Sequence, residues 1–243
     1  MSETGALTEA GVRTLQAIVQ RHRALATGLS LRAADVREAA LAHRQCRCAV
    51  DDLVNYAAEQ VLPYAAAEEA TVYVAARAHH ELAGAAAGMV SDHEYLASML
   101  SRLTAATSTT AVLDGAGGLV AVFTSHVAKE ETLVLPRLLA ERDVDPAKFV
   151  ARMDELARRN GATGALDLRD LAPPYRQRVV SARFGALRPG SSFTLVNDHD
   201  PAPVRHQLES RHTGEVIWEV LQAGPPVWRA RIGRVGMGDR TAA

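Results

Sequence analysis

Apolar residues recur at three- and four-residue spacing through the first two-thirds of the chain: Leu15, Ile18 and Val19, then Leu53, Val54, Ala57, Ala58 and Val61. That period gathers them on one face of a helix. From Leu7 to Ala157 the chain is rich in Ala, Leu, Val, Glu and Arg, mostly strong helix formers, and has proline only at 63, 136 and 146. After Asn160-Gly161 the pattern changes. Short β-branched or aromatic runs (Phe193–Val196, Val216–Val220, Val227–Ile232) alternate with Pro173-Pro174, Pro189-Gly190, Asp198–Pro201 and Gly224–Pro226. Such runs predict strands, and the Gly and Pro between them predict turns. The chain is expected to form two domains, an all-α unit over residues 1–160 and an α/β unit over residues 161–243, joined near Asn160–Gly164.

Composition narrows the function classes. At 243 residues the chain can bury a core in one large or two modest domains. Hydrophobic residues make up 48% and charged residues 23%, which is the balance of an ordinary globular protein rather than a disordered one. A net charge of -1 gives no field to recruit nucleic acid or an anionic membrane. Cys46 and Cys48 cannot build a disulfide framework, and on a helix their thiols diverge by about 200°, which suits no single metal. Met1–Ala10 has no basic region followed by an apolar stretch, so no signal peptide is expected. No uninterrupted apolar run reaches the ~18 residues of a membrane span. A cytoplasmic protein is the expectation.

Two segments of the helical half resemble each other. Leu62-Pro63-Tyr64, with Glu68-Glu69 and Tyr73 following, parallels Thr124-Ser125-His126, with Glu130-Glu131 and Leu135 following. In each, a ring lies four residues before a Glu-Glu pair, so ring and first carboxylate share a helix face one turn apart. A His and a carboxylate so placed can reach one metal, and facing helices can hold a pair. Antiparallel helices bring level those residues that are equidistant from the turn between them. His93 and His126 have their midpoint near residue 109, within Thr107–Thr110, a good turn. Glu68 and His93 have theirs near residue 80, at His79-His80. For the first helix the candidates are His22 and His43. A turn near Ala42–Gln45 levels His22 with Tyr64, whereas a helix shared by His43 and Tyr64 would place them ~30 Å apart. The spacing favours His22, with Gly28–Ser30 as a competing break.

His22, Tyr64-x-x-x-Glu68, His93 and His126-x-x-x-Glu130 together resemble the pattern of hemerythrin-like (HHE) domains: a His, a His-x-x-x-Glu, a His and a second His-x-x-x-Glu. Leu62-Pro63 and Leu135-Pro136 fit the flanking text. The resemblance covers roughly residues 8–157 and implies an up-down four-helix bundle. It also implies metal ligands at His22, Tyr64, Glu68, His93, His126 and Glu130. The implied cofactor is two non-haem irons per chain, bridged by an oxo group or a carboxylate, with manganese or zinc as substitutes. Tyr64 departs from the family, which has His there. It either ligates iron through oxygen, with a visible charge-transfer band, or points away and leaves one metal an open position. Fewer imidazoles and more oxygen donors favour ferric iron over reversible oxygen carriage. The resemblance implies a protein that binds or reacts with oxygen, nitric oxide or peroxide. The alternatives are a non-catalytic sensor signalling through the C-terminal domain, and an iron buffer. Glu69 and Glu131 are expected as solvated or supporting carboxylates.

The C-terminal half reads as β-α-β-α-β-β: strand Ala165–Arg169, helix Tyr175–Leu187, strand Ser192–Asn197, helix Pro201–Arg211, then two strands. That order predicts a small sandwich with two helices on one face of a four-stranded sheet. Leu166–Arg169, Leu195–Pro201 and Trp228–Gly233 resemble an uncharacterised domain often fused behind hemerythrin-like bundles, similar in layout to the SirA/TusA sulfur carriers. The carriers' cysteine is absent, since no Cys follows Cys48. Asn197, Asp198, His199 and Asp200 stand at a strand's carboxyl end, where α/β folds often bind ligands, and Arg205, His206 and Arg211 lie nearby. The same four residues also read as a turn and helix cap. A protein partner is expected through this domain.

Overall fold

The computed structural model describes residues 7–42, 46–161, 165–169, 171 and 173–236. His43, the alternative first-helix ligand, lies outside the described residues, as does 162–164, most of the expected linker.

Four helical rods run up and down. The first is α1 (Glu9–Leu41), 33 residues and about 50 Å long. The Thr8 side chain caps it by accepting the Gly11 amide at 3.0 Å. Gly28–Ser30 does not break it. Glycine stands at 28 because Tyr56 packs there: an added Cβ would collide with the tyrosine hydroxyl. The second rod comprises α2 (Arg47–Tyr56), a π-helical turn (Ala57–Val61), α3 (Leu62–Ala70) and α4 (Val72–Ala78). The third is α5 (His80–Ala105). The fourth comprises α6 (Thr109–Lys129), a second π-helical turn (Glu130–Val134) and α7 (Leu135–Leu138). The breaks fall where the spacing placed them, at 42–46, at His79 and at 106–108.

The π turns have a common cause in the sequence. Each ends just before a Leu-Pro pair, Leu62-Pro63 and Leu135-Pro136. Proline lacks an amide hydrogen, and its ring collides with the carbonyl four residues earlier, so the preceding turn widens. Leu62 and Leu135 accordingly bond back five residues, to Ala57 and Glu130.

A further helix, α8 (Pro146–Gly161), lies against α1 and α3 and adds to the four-rod plan. Asp145 starts it by accepting the Ala147 and Lys148 amides at 3.2 and 3.3 Å. The Thr109–Leu138 rod is long and apolar enough to cross a membrane by length and composition. It also carries buried Phe123, His126 and Glu130 into the bundle core.

The second unit has strands β1 (Ala165–Asp167), β2 (Ser192–Asn197), β3 (Val216–Gln222) and β4 (Trp228–Arg234) in the order β1-β2-β4-β3. β1 is parallel to β2, and the other pairs are antiparallel. Register sets Phe193 opposite Ile232 and Ile232 opposite Trp218, so one face is apolar. Helices α9 (Pro173–Gly185) and α10 (Ala202–Arg211) cover it with Val180, Phe184, Val204 and Leu208. α9 also packs on the bundle. Ala66 of α3 joins the second core, Ala186 joins the first, and Arg183 donates to the Ala58 carbonyl. Gly185 lets α9 approach α5, since a Cβ there would lie 3.2 Å from the Ser101 side chain.

Leu29 of α1 is fully buried in the bundle core. Leu29→Ala is expected to cost about 2–5 kcal/mol, read as a lower urea midpoint by far-UV circular dichroism. An unchanged midpoint would show that this face of α1 is not packed.

Candidate metal centre

Every rod contributes to one buried cluster. α1 supplies His22, α3 supplies Tyr64, Glu68 and Glu69, and α5 supplies His93. α6 supplies His126, and the second π turn supplies Glu130. His22, Glu68, His93, His126 and Glu130 are each at most 5% exposed. Glu68 sits at the centre. Its Oε1 is 3.1 Å from His22 Nε2, and its Oε2 is 3.3 Å from His93 Nε2 and 3.9 Å from His126 Nε2. Glu130 Oε2 is 3.3 Å from His22 Nε2. The side chains form two groups able to hold an ion, Glu68 with His93 and His126, and His22 with Glu68 and Glu130. Glu68 belongs to both.

The imidazoles are held from behind. His22 Nδ1 is 2.9 Å from Glu131, His93 Nδ1 is 2.9 Å from Glu69, and His126 Nδ1 is 3.4 Å from Asp92. A carboxylate on Nδ1 fixes the ring so that Nε2 faces inward as a lone-pair donor, the arrangement found behind metal-bound histidines. Asp92 is tied in turn by Lys129, 2.5 Å away. Glu69 and Glu131 thus take the supporting role expected of them. Each Glu-Glu pair sends its first member to the centre and its second to an imidazole's outer nitrogen.

The buried carboxylates favour positive charge at this centre. Burial opposes the charge on His22, but the carboxylates of Glu68, Glu130 and Glu131 outweigh it and raise the pKa to about 9. Burial likewise opposes His93, and Glu68 and Glu69 raise it to about 10. His126 is lowered, by burial first and by the charge of His93. Burial and the nearby Glu68 push Glu130 well above the usual carboxylate range. Burial pulls Glu68 the same way, but the facing imidazoles of His126, His22 and His93 hold it well below. Without metal, protons must therefore neutralise the buried carboxylates. Among the described residues, neither Glu130 oxygen accepts a well-formed hydrogen bond, and the Tyr64 hydroxyl has no partner. Oxygens so placed, beside inward-facing imidazole nitrogens only 3.1 Å apart at His93 and His126, fit metal ions.

The profile of the hemerythrin HHE cation-binding domain matches residues 13–138. The chain belongs to that family. The hemerythrin-like region holds every member of the cluster, and a second profile, an uncharacterized conserved protein (DUF2249), matches residues 165–234. No curated protein and no solved structure matches the chain.

Of the residues singled out in the sequence, His22, Tyr64, Glu68, His93, His126 and Glu130 meet here. The Tyr64 ring lies edge-on to His22, with centroids 5.7 Å apart. Sequence spacing missed Tyr73, fully buried, whose hydroxyl is 3.3 Å from His126 Nε2. The signal was its place four residues after Glu69, but Thr71 breaks the helix between them. Asp92 was also missed, although it adjoins His93.

In the C-terminal domain, Asn197, Asp198 and His199 gather around Arg176, which the sequence did not single out. Arg176 Nη1 lies 3.0 Å from Asn197 Oδ1, 2.6 Å from Asp198 Oδ1 and 3.2 Å from His199 Nδ1. Its Nη2 also donates to Asp198 Oδ2 at 3.1 Å and to the Arg169 carbonyl, and its Nε donates to the Leu171 carbonyl. Asp200 accepts the Ala202 amide at 2.9 Å and caps α10, while Arg205 pairs with Glu209. The group reads as a strut tying the loop after β1 to the end of β2.

Two outcomes follow from these contacts. Glu131→Ala leaves His22 Nδ1 without its partner, and metal affinity is expected to fall about 10–100-fold with little change in helix content, measured by competition with a chelator. Arg176→Met is expected to destabilise the C-terminal domain by about 1–2 kcal/mol, because Asp198 is half exposed and the loss falls mainly on the buried acceptors of Arg176. Tryptophan fluorescence reports this domain alone, because Trp218 and Trp228 are the chain's two tryptophans. Hydrogen bonds from Arg176 hold the Asp198 carboxyl well below its usual range. That stabilisation is fully present above about pH 5 and is lost progressively as pH falls below about 4. The gap between wild type and Arg176→Met should therefore narrow in acid, leaving the part that comes from the Asn197, Leu171 and Arg169 contacts.

Proposed function

We propose that the protein is a cytoplasmic, non-haem di-iron protein that binds or reacts with oxygen, nitric oxide or peroxide. The observation that carries this reading is Glu68, a buried carboxylate shared by two ligand groups, as a dinuclear site requires. His93, His126 and Glu68 would hold one ion, and His22, Glu130 and Glu68 the other, with Tyr64 as an oxygen donor beside His22. Imidazole and carboxylate donors suit iron, and accept manganese or zinc. Iron there would supply open coordination positions and one-electron redox chemistry. The chain's own part is to orient the imidazoles through Glu131, Glu69 and Asp92, and to exclude bulk water. Residues 1–160 form the reactive unit in this reading, and residues 161–243 a docking or sensing unit. The contact of α9 with α3 and α5 favours a second reading, in which the oxidation state alters how the C-terminal domain meets a protein partner.

Protein loaded anaerobically with iron is expected to carry two irons per chain, and His126→Ala to lose at least one, by metal analysis. A visible band lost in Tyr64→Phe would mark phenolate ligation. An unchanged band would retire Tyr64 as a ligand, and absence of iron would overturn the reading. Turnover of peroxide by the loaded wild type would mark an enzyme. Its absence, with oxidation-dependent change in proteolysis between the domains, would mark a sensor.

A further inference from the structure

A cavity of about 40 Å³ lies between α3, α5 and α9, with His93 and Glu69 at its base and Ala66, Ala97, Val179 and Ala182 in its walls. Exposed Glu94 borders it on the solvent side. Its origin is in the sequence. Gly185 draws α9 close to α5, while the facing positions are alanines whose methyl groups cannot fill the space between the helices. His93 and Glu69 hydrogen-bond to each other at 2.9 Å, so much of the polarity at the base is already paired.

A water-sized guest needs only about 10–15 Å³ of such space, but a water also needs two to four polar partners, and the walls offer carbon. The space therefore suits a small, weakly polar molecule and is too small for a larger organic one. Larger clefts lie along α1 and α6 and near His79, and neither borders a residue of the metal cluster.

We propose that this cavity is the port through which a diatomic gas reaches the His93 side of the bundle site, and that α9 is its outer wall and gate. The proposal rests on the reading of the bundle as a site for such molecules. It gives the C-terminal domain a direct role, because α9 supplies Val179 and Ala182 to the walls and its seating sets the width of the opening. Val179 and Ala182 belong to the C-terminal domain, while Ala66, Ala97 and His93 belong to the bundle, so neither unit alone encloses the space.

Two measurements test the proposal. In the full-length, zinc-loaded protein, dissolved oxygen under pressure should broaden the methyl resonances of Ala66, Ala97, Val179 and Ala182. The broadening at half-buried Ala97, Val179 and Ala182 should exceed that of equally half-buried but remote methyls, such as Leu15 and Ala157. The broadening at buried Ala66 should exceed that at Leu29. Equal broadening would overturn the proposal. In the reduced, iron-loaded protein, Ala97→Phe and Ala182→Phe should each slow nitric oxide association about tenfold in stopped flow, with metal content unchanged. Ala182→Leu serves if the larger side chain prevents folding. Unchanged rates in folded variants would overturn the proposal as well. If the wild-type iron protein takes up neither nitric oxide nor oxygen, the reading of the bundle as a gas site fails, and the oxygen-broadening result alone decides the cavity.

Discussion

The N-terminal unit depends on the cost of burying a carboxylate. Glu68 is 2% exposed in the middle of a helical core, where an uncompensated charge costs several kcal/mol. Three imidazoles from three other helices meet that cost, and each carries a carboxylate on its far side. The result is a polar network threaded through an apolar bundle, with every rod tied to it. Each rod must hold its height and rotation, because a shift by one residue would turn a ligand by about 100°. The cluster thus fixes the register of the bundle as much as the bundle fixes the cluster.

The two halves of the cluster follow one local rule. A Glu-Glu pair in each half divides its labour, with one carboxylate inward and the next onto an imidazole's outer nitrogen. Leu62-Pro63 and Leu135-Pro136 place a π-helical turn before each proline. In the second half Glu130 begins that turn, so the helix is widest where two consecutive carboxylates both reach His22. In the first half the π turn comes earlier, ahead of Tyr64 and Glu68, and the repeat is imperfect. Tyr64 stands where the other half has His126, and its hydroxyl lacks the carboxylate partner that His126 has in Asp92.

The rods and most of the cluster were legible because helix periodicity and turn midpoints are local quantities. His93 and His126 could be levelled from the turn between them, and His22 from the break near residue 42. Less legible were features that depend on a bend or a distant partner. Tyr73 reaches His126 only because the chain bends at Thr71, a residue that looks unremarkable in a helical run. Asp92 reads as an ordinary surface residue until His126 arrives from the next helix. In the C-terminal domain the polar stretch Asn197–Asp200 gave no sign of Arg176, more than 20 residues earlier, which Asn197, Asp198 and His199 meet. The order of elements along the chain there came from the alternation of short apolar runs and turn residues. The order of strands in the sheet, β1-β2-β4-β3, depends instead on pairings between distant segments.

The position of the cluster along the chain also orders events during synthesis. Its members run from His22 on the first rod to Glu130 on the last. A nascent chain that has released only three rods exposes Glu68 with His22 and His93, but lacks His126 and Glu130. Its central carboxylate then has two of its three imidazole partners and lacks Glu130 beside it. The ribosome adds about 5–20 residues per second, so this half-built state lasts for seconds in every copy made. Glu68 stays hydrated in that state, and the cost of burying its charge arises only when the fourth rod brings His126 and Glu130 over it.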